Sequence, residues 1–236
     1  MARAWRNRIV SRADWIEARK ALLAKEKAYT RERDKLSAAR RALPWEAVTK
    51  EYVFEGRDGR QTLPELFAGR SQLIVYHFMF HPDWGAGCPH CSRWADSFDR
   101  PIVHLNQRDV TMVAVSRAPY EKLAAYHRRM GWIFKWLSSF DSDFNFDFNV
   151  AFTPEEMKKK KAFYNFTVQN PQAPEREGLS VFYRDRADRV FRTYSTFARG
   201  IEPINVDYQL LDLVPKGRDE GNKGPFWVRR HDEYGG

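Results

Sequence analysis

Two nearly unbroken apolar runs lie in the middle of the chain. Residues 71–80, SQLIVYHFMF, and 110–116, VTMVAVS, are rich in β-branched and aromatic residues, which predicts two central strands buried on both faces. A helical pattern follows each run, one opening near Pro89 and one over residues 120–131. The order strand, helix, strand, helix predicts parallel pairing with right-handed crossovers, and therefore an α/β fold.

Shorter patterns flank these central strands. Residues 50–56 predict a strand, and residues 179–185 and 189–196 predict an antiparallel pair around a short turn. Residues 203–213 indicate a last helix. A helical stretch and a proline-rich loop occupy residues 151–177, which we expect to be an insertion into the fold.

The segment 140–149, FDSDFNFDFN, alternates aromatic and polar residues. This alternation is typical of a half-buried edge strand or an irregular segment. We therefore expect its phenylalanines to pack inward and Asp143, Asn145 and Asp147 to be solvated.

The N-terminal pattern differs from the rest. Ser11 and Asp14 predict a capping box that opens a long helix over residues 12–42. Its large apolar residues recur every seven positions and form one narrow stripe: Trp15, Leu22, Tyr29, Leu36 and Leu43. Such a stripe should pack either against the rest of the chain or across a homodimer.

These patterns suggest three parts. Residues 1–48 form an N-terminal helical extension, residues 49–215 form the α/β domain with its insertion, and residues 216–236 form a polar C-terminal tail.

The charge distribution bears on the kind of partner. The formal net charge of the 236 residues is +9, but residues 1–50 hold 14 Lys and Arg against 6 Asp and Glu, a difference of +8. The remainder is therefore almost neutral, and a solvated helix face explains the basic segment better than nucleic-acid binding does. We expect no membrane partner either, because no apolar run approaches a membrane span in length. The N-terminus lacks the apolar stretch of a secretory signal, so we expect a soluble, cytoplasmic protein.

The only two cysteines lie in the motif GCPHC, residues 87–91, between a buried strand and a helix. Pro89 suits the first helical position, which places Cys88 at the N-cap. There the helix dipole and unpaired N–H groups favour a thiolate, and a protonated His90 would add to the effect. Cys91 follows one turn later, within disulfide reach. The pair is suited to dithiol–disulfide exchange and needs no bound cofactor.

Two other kinds of function stay open. A copper or zinc site could combine Cys88 and Cys91 with His77 and His81, although a single C-x-x-C motif supplies only two ligands. Alternatively, the chain is an interaction protein in which the basic helix matters and the cysteines are dispensable.

Several stretches resemble known families. Residues 60–200 resemble the thioredoxin superfamily, in which CPHC is the active-site form of strongly oxidising members. The layout of GRQTLPELFAGRSQLIVYHF and VTMVAVSRAPYEKLAAYHRRMG is closer to the peroxiredoxin branch. More closely still, MFHPDWGAGCPHCSRWAD, SVFYRD, YSTFARG and WVRRHDEYG resemble the bacterial thioredoxin-like family called domain of unknown function 899, over nearly the whole chain.

The resemblance implies a three-layer α/β/α sandwich around a central mixed sheet, in which Cys88 attacks and Cys91 resolves. Its substrate would be a thiol or a disulfide, on a protein or a small molecule. Peroxide reduction is a further alternative, although Gly85 occupies the position where peroxiredoxins carry threonine or serine.

Other residues are candidates for substrate contacts. Trp84 lies in the glycine-rich approach to the cysteines, and Arg199 lies in the loop after the last predicted strand. Gly178, Leu179 and Ser180 occupy the approach where thioredoxins place a cis-proline, so Leu179 and Ser180 are expected to face the cysteines.

Overall fold

The computed structural model describes residues 7–235, which divide into two units at Pro44. The helices of the described chain are α1 (Arg12–Arg41), α2 (Pro89–Phe98), α3 (Ile102–Asn106), α4 (Tyr120–Met130), α5 (Phe144–Asp147), α6 (Pro154–Lys159) and α7 (Val206–Leu211). Short 3-10 helices lie at Pro64–Phe67, Ala198–Ile204 and His231–Glu233. None of the helices in this part of the chain combines the length and the apolarity that a membrane span requires.

The strands are β1 (Glu46–Val48), β2 (Val53–Gly56), β3 (Gly59–Thr62), β4 (Gln72–His77), β5 (Val110–Ser116), β6 (Lys135–Ser138), β7 (Ala162–Tyr164), β8 (Thr167–Gln169), β9 (Gly178–Arg184) and β10 (Val190–Phe197).

The first unit consists of α1. Ser11 caps it as the sequence predicts, since its hydroxyl accepts a hydrogen bond from the backbone N–H of Asp14 at 3.1 Å. No residue of α1 is buried, and the stripe residues Trp15 and Tyr29 keep 59% and 70% of their surface exposed. Association through this stripe stays a prediction.

The second unit is built on one mixed sheet with strand order β1-β10-β9-β4-β5-β6-β2-β3. The three central strands β4, β5 and β6 are parallel, and β9 runs antiparallel beside β4. The predicted α/β fold with a mixed central sheet is confirmed. So is the antiparallel pair β9–β10, which carries a register irregularity between Arg192 and Tyr194.

Side chains of the central strands alternate between two buried clusters, because successive strand residues point to opposite faces. Tyr76 and Phe78 pack on the face that carries α2 and α4. Leu73 and Val75 pack on the other face, against the 3-10 helix Pro64–Phe67 and α5. The cysteine motif belongs to the first face.

Three details differ from the sequence expectations. The segment predicted to be an edge strand or irregular forms α5, because Phe144 and Phe148 are four residues apart and both reach the core. Asn145, expected to be solvated, is buried and accepts from the Ser139 hydroxyl. The insertion contains the hairpin β7–β8 besides α6. Finally, β1 pairs with β10, so residues 46–48 belong to the sheet and the N-terminal extension ends before residue 48.

The second cluster gives a test of the packing. Phe182 is fully buried there, with its ring 5.4 Å from that of Phe148. Phe182→Ala should lower the free energy of unfolding by about 3–5 kcal/mol, because it leaves a cavity in a close-packed core. The control Phe163→Ala removes a side chain that is 45% exposed and should cost about 0.5 kcal/mol or less. Urea denaturation measures both, and equal effects would contradict this account of the core.

Candidate functional site

The loop that precedes Cys88 is held in place by contacts with the residues around it. The backbone N–H of Cys88 donates to the carbonyl of Met79 at 3.1 Å. A Cβ at residue 87 would lie 2.7 Å from the ring of Phe78 and 3.1 Å from that of Tyr126, so only glycine fits there. The guanidinium of Arg230 donates to the carbonyl of Gly87 at 2.8 Å. These contacts fix the entry of the chain into α2.

The first turn of α2 has the geometry that the sequence predicts. Cys88 is the N-cap with extended backbone (φ −57°, ψ 131°), Pro89 opens the helix, and the Cys88 side chain makes no capping hydrogen bond. Its sulfur lies at the positive end of the helix. Ser92 completes the turn, because its hydroxyl donates to the carbonyl of Cys88 at 2.9 Å and also contacts the Tyr126 hydroxyl.

The two thiols are unbonded and differ in environment. Cys88 is half-buried, whereas Cys91 is completely buried in the core cluster below it. The pKa of Cys88 is lowered by a hydrogen bond from the Cys91 side chain and by the backbone N–H groups of Cys91 and His90, against the opposing effect of burial. The pKa of Cys91 is raised well above its usual value, first by burial and then by its contact with Cys88. The pair therefore combines an outer thiol with a lowered pKa and an inner thiol with a raised pKa.

Two further groups act on the inner thiol. The Sγ of Cys91 accepts a hydrogen bond from the backbone N–H of Met79 at 3.5 Å. The hydroxyl of Tyr76 is buried, lacks a hydrogen-bond partner of normal geometry among the described residues, and lowers the pKa of Cys91 through its proximity. The negative charge of Glu177 has the opposite effect on that pKa. Tyr76 and the Met79 N–H therefore favour a transient thiolate at Cys91.

His90 is exposed and belongs to the lining of the cavity on which the two cysteines open. Its pKa is lowered, mainly by desolvation and also by the charge of Arg93, so the ring is neutral at pH 7. The contribution of His90 to the Cys88 thiolate that the structure shows is the hydrogen bond from its backbone N–H. An effect of the protonated ring stays a prediction.

The alternative metal site is not assembled. His77 points to the opposite face of the sheet from the cysteines, where its Nε2 lies 2.9 Å from Ser180 Oγ and its ring stacks on Phe144. Burial lowers the pKa of His77 to about 3, as expected for a neutral core histidine. The Nδ1 of His81 instead accepts from the backbone N–H of Asp83. No cluster of three or more His, Cys, Asp or Glu side chains suited to a metal occurs within residues 7–235.

The cysteines open on a cavity of about 620 Å³. Of the predicted substrate contacts, Arg199 lies on its wall, whereas Leu179 packs beside Cys91 in the core cluster. Ser180 does not face the cysteines, because its hydroxyl lies on the other face of the sheet with His77. Trp84 packs against the core cluster near His81, outside the lining of the cavity.

Further lining of the cavity comes from residues that the sequence interpretation left aside. It includes Arg93 of α2, Asn205 and Tyr208 at the start of α7, and Arg218 and Glu220 of the C-terminal segment. The insertion adds only its last residues, 176 and 177. Part of the segment predicted to be a polar tail therefore lines the site. The sequence contains no spacing that links these segments to the cysteines.

A buried carboxyl group also acts on the site. Glu175 is 1% exposed, and neither of its oxygens has a hydrogen-bond partner of normal geometry in the described chain. Burial raises its pKa to about 8, against the attraction of the Arg117 guanidinium 3.9 Å away. At neutral pH this group is therefore largely protonated.

The fold and the site together define an α/β protein with a mixed central sheet and a C-x-x-C motif at a helix N-terminus. The sequence profile of the family described as "Bacterial protein of unknown function (DUF899)" matches residues 4–234. The chain belongs to this family.

Solved structures similar to the chain include peroxidoxin BcpB from Mycobacterium tuberculosis (14% identity, 70% of this chain and 92% of that one, TM-score 0.47). Others are a mutant of PrxQ from Xylella fastidiosa (13%, 67% and 88%, TM-score 0.42) and the bacterioferritin comigratory protein of Xanthomonas campestris (11%, 70% and 98%, TM-score 0.44). A search of curated proteins finds no match. Structural likeness at this level says nothing about the reaction.

The different environments of the two thiols predict the order of alkylation. With the reduced protein near pH 6, iodoacetamide should label Cys88 well before Cys91, because alkylation requires the thiolate and only Cys88 has a lowered pKa. Peptide mass spectrometry after timed quenching measures both rates. Labelling of Cys91 first, or of neither until alkaline pH, would contradict the assignment.

Glu175 predicts a pH-dependent stability. In the unfolded chain this carboxyl ionises near pH 4.5, whereas in the folded protein it holds its proton to about pH 8. The free energy of unfolding should therefore fall as pH rises through this window. Glu175→Gln should remove this fall and stabilise the protein at pH 8 by a few kcal/mol, at about 1.4 kcal/mol per pKa unit. At pH 5 the two proteins should differ much less.

The exposed Glu155 supplies the control, since Glu155→Gln on α6 should leave the pH dependence of wild type intact. Urea titrations at pH 5 and pH 8 give the comparison. Equal slopes for wild type and Glu175→Gln would show that this carboxyl ionises normally in the folded state.

Proposed function

We propose that the chain is a thiol–disulfide oxidoreductase in which Cys88 attacks and Cys91 resolves. The observation that carries the proposal is the division of one C-x-x-C pair into an accessible thiol with a lowered pKa and a buried thiol one helical turn below it. Dithiol–disulfide exchange requires this combination of an activated nucleophile and a nearby second sulfur. The pair carries both electrons, so the reaction needs no bound cofactor.

The reaction has two displacements. The Cys88 thiolate attacks one sulfur of a substrate disulfide, the substrate S–S bond breaks, and one thiol leaves with a proton. The Cys91 thiol then loses its proton and attacks Cys88 Sγ, which releases the second thiol and forms the Cys88–Cys91 disulfide. The substrate gains two electrons and two protons, and the protein dithiol loses them. The reverse sequence oxidises a substrate dithiol.

The surrounding groups suit the second displacement. Burial keeps Cys91 protonated while the first step takes place, so it does not compete with Cys88 for the substrate. The N–H of Met79 and the hydroxyl of Tyr76 then offer hydrogen bonds to the sulfur of Cys91 when it loses its proton. We also expect the substrate to be a thiol or a disulfide on a protein or a small molecule. A cytoplasmic location and the pairing of two copies through α1 are further expectations of this proposal.

Single-cysteine variants test the two roles. Cys91→Ser should accumulate a mixed disulfide through Cys88 when the reduced protein meets a disulfide, because the resolving sulfur is gone. Cys88→Ser is the matched control and should accumulate none under the same conditions, since Cys91 is fully buried. Intact-protein mass spectrometry without reductant detects the adduct. An adduct on Cys88→Ser alone would reverse the roles, and none on either variant would refute exchange.

A parallel reaction with hydrogen peroxide separates exchange from peroxide reduction. Exchange predicts that wild-type protein reacts much faster with disulfides than with hydrogen peroxide. A faster reaction with peroxide, followed by formation of the Cys88–Cys91 bond, would favour the peroxidase alternative instead.

A further inference from the structure

One buried side chain in the cysteine cavity has no role in folding that the structure shows. Asn205 is completely buried, yet neither its Nδ2 nor its Oδ1 has a hydrogen-bond partner in the described part of the chain. Leaving a buried polar group unpaired costs about 1–3 kcal/mol. An apolar residue of similar size would avoid that cost. Asn205 also lines the cavity on which Cys88 and Cys91 open.

The usual role of an asparagine at a helix N-cap does not explain why Asn205 occupies this position. Asn205 is the N-cap of α7, where an asparagine side chain usually accepts a hydrogen bond from the helix backbone. Here no such bond is made. The backbone N–H of Val206, the first helical residue, donates to Ser97 Oγ at 3.4 Å. The amide of Asn205 is thus free to pair with a bound molecule.

A second buried polar group without a partner in the described chain lines the same cavity. Arg93 is held by an ion pair with Asp207 and by stacking of its guanidinium 3.8 Å from the ring centre of Tyr208. Its Nη2 is nevertheless buried without a partner in the described structure. Asn205 therefore offers an amide N–H donor and a carbonyl acceptor, and Arg93 offers a further donor, all in fixed positions. This set of groups is complementary to a peptide-type amide with a further acceptor oxygen.

The distance from the sulfurs suits a short peptide. Ser97, which contacts residue 206, lies nine residues beyond Cys88 on α2, or about 13 Å along the helix axis at ~1.5 Å per residue. An extended peptide spans about 3.3–3.6 Å per residue, so about four residues bridge that distance. The volume of about 620 Å³ falls within the usual range of small-molecule sites.

We infer that the cavity binds a small peptide disulfide, and that Asn205 recognises a peptide-type amide of the molecule whose sulfur Cys88 attacks. This inference rests on the proposed exchange reaction and adds a substrate class to it. The reduced protein donates two electrons and two protons to the peptide disulfide, which becomes two peptide thiols while the Cys88–Cys91 bond forms.

The test compares two disulfides and two variants in a single turnover of the reduced protein, followed by rapid acid quenching and mass spectrometry. Oxidised glutathione carries peptide-type amides, and 2-hydroxyethyl disulfide carries none. Asn205→Leu should lower the second-order rate constant for oxidised glutathione about 10- to 100-fold, from the loss of one buried hydrogen-bonding group. It should leave the rate with 2-hydroxyethyl disulfide within about twofold. The control Asn222→Leu, at an exposed position of the C-terminal segment, should change neither rate.

Stability supplies a readout that separates recognition from structure. Because Asn205→Leu removes two unpaired buried groups, its melting temperature should equal or exceed that of wild type. A wild-type experiment covers the case in which the variant does not fold. S-methylglutathione, which cannot exchange, should protect Cys88 from iodoacetamide in a saturable manner.

The outcomes are distinguishable. If neither disulfide oxidises the wild-type protein, the exchange reaction itself is refuted. If both react but Asn205→Leu slows neither, or if S-methylglutathione gives no protection, the exchange reaction stands and the peptide site is refuted. If Asn205→Leu slows only the reaction with a protein disulfide such as insulin, the cavity takes a protein loop and the small-peptide assignment is wrong.

Discussion

The placement of the first turn of α2 is the constraint on which the site depends. Gly87 fits only because it has no side chain against Phe78 and Tyr126, and Pro89 fixes the direction in which the helix leaves. With that turn held, the backbone N–H groups of residues 90 and 91 point at Cys88. The same geometry drives Cys91 into the core. One local arrangement therefore makes two identical side chains chemically different.

The polar groups around the cavity suggest that some buried residues serve function at a cost in stability. Some polar side chains of the core are satisfied internally; Asn145, for example, accepts from the Ser139 hydroxyl at 2.9 Å. Buried atoms without partners in the described chain occur at His77 and Glu175, and around the cysteines at Tyr76, Arg93 and Asn205. The unpaired groups of this last set are available to a reacting sulfur or to a ligand, so part of the instability they cause lies beside the cysteines.

Much of the fold could be predicted because it depends on local patterns. The apolar run 110–116 coincides with β5, and Pro89 marks the start of α2. The pattern of segment 140–149 was misleading because aromatic and polar residues alternate over a few positions, as they do in a strand. The four-residue spacing of Phe144 and Phe148 decides the packing instead.

The site was predictable mainly in its central motif, since Cys88, Pro89 and Cys91 are close in the sequence; outside the motif, the predicted residue Arg199 lines the cavity. The strand period shows why His77 cannot join them: it alternates with Tyr76 and therefore faces the other side of the sheet. The part of the cavity lining that contains Asn205 depends on contacts between segments distant in the sequence. A single sequence contains no period or spacing that links those segments to the cysteines.

The bond between Arg230 and Gly87 has a consequence for biosynthesis. These residues are separated by 143 positions in the sequence. A chain growing on the ribosome therefore presents its cysteine motif long before the residue that anchors the preceding loop has been made. During that interval the loop before Cys88 lacks one of the contacts that hold it. The final geometry of the loop is thus acquired only after residue 230 has been synthesised and has packed onto Gly87.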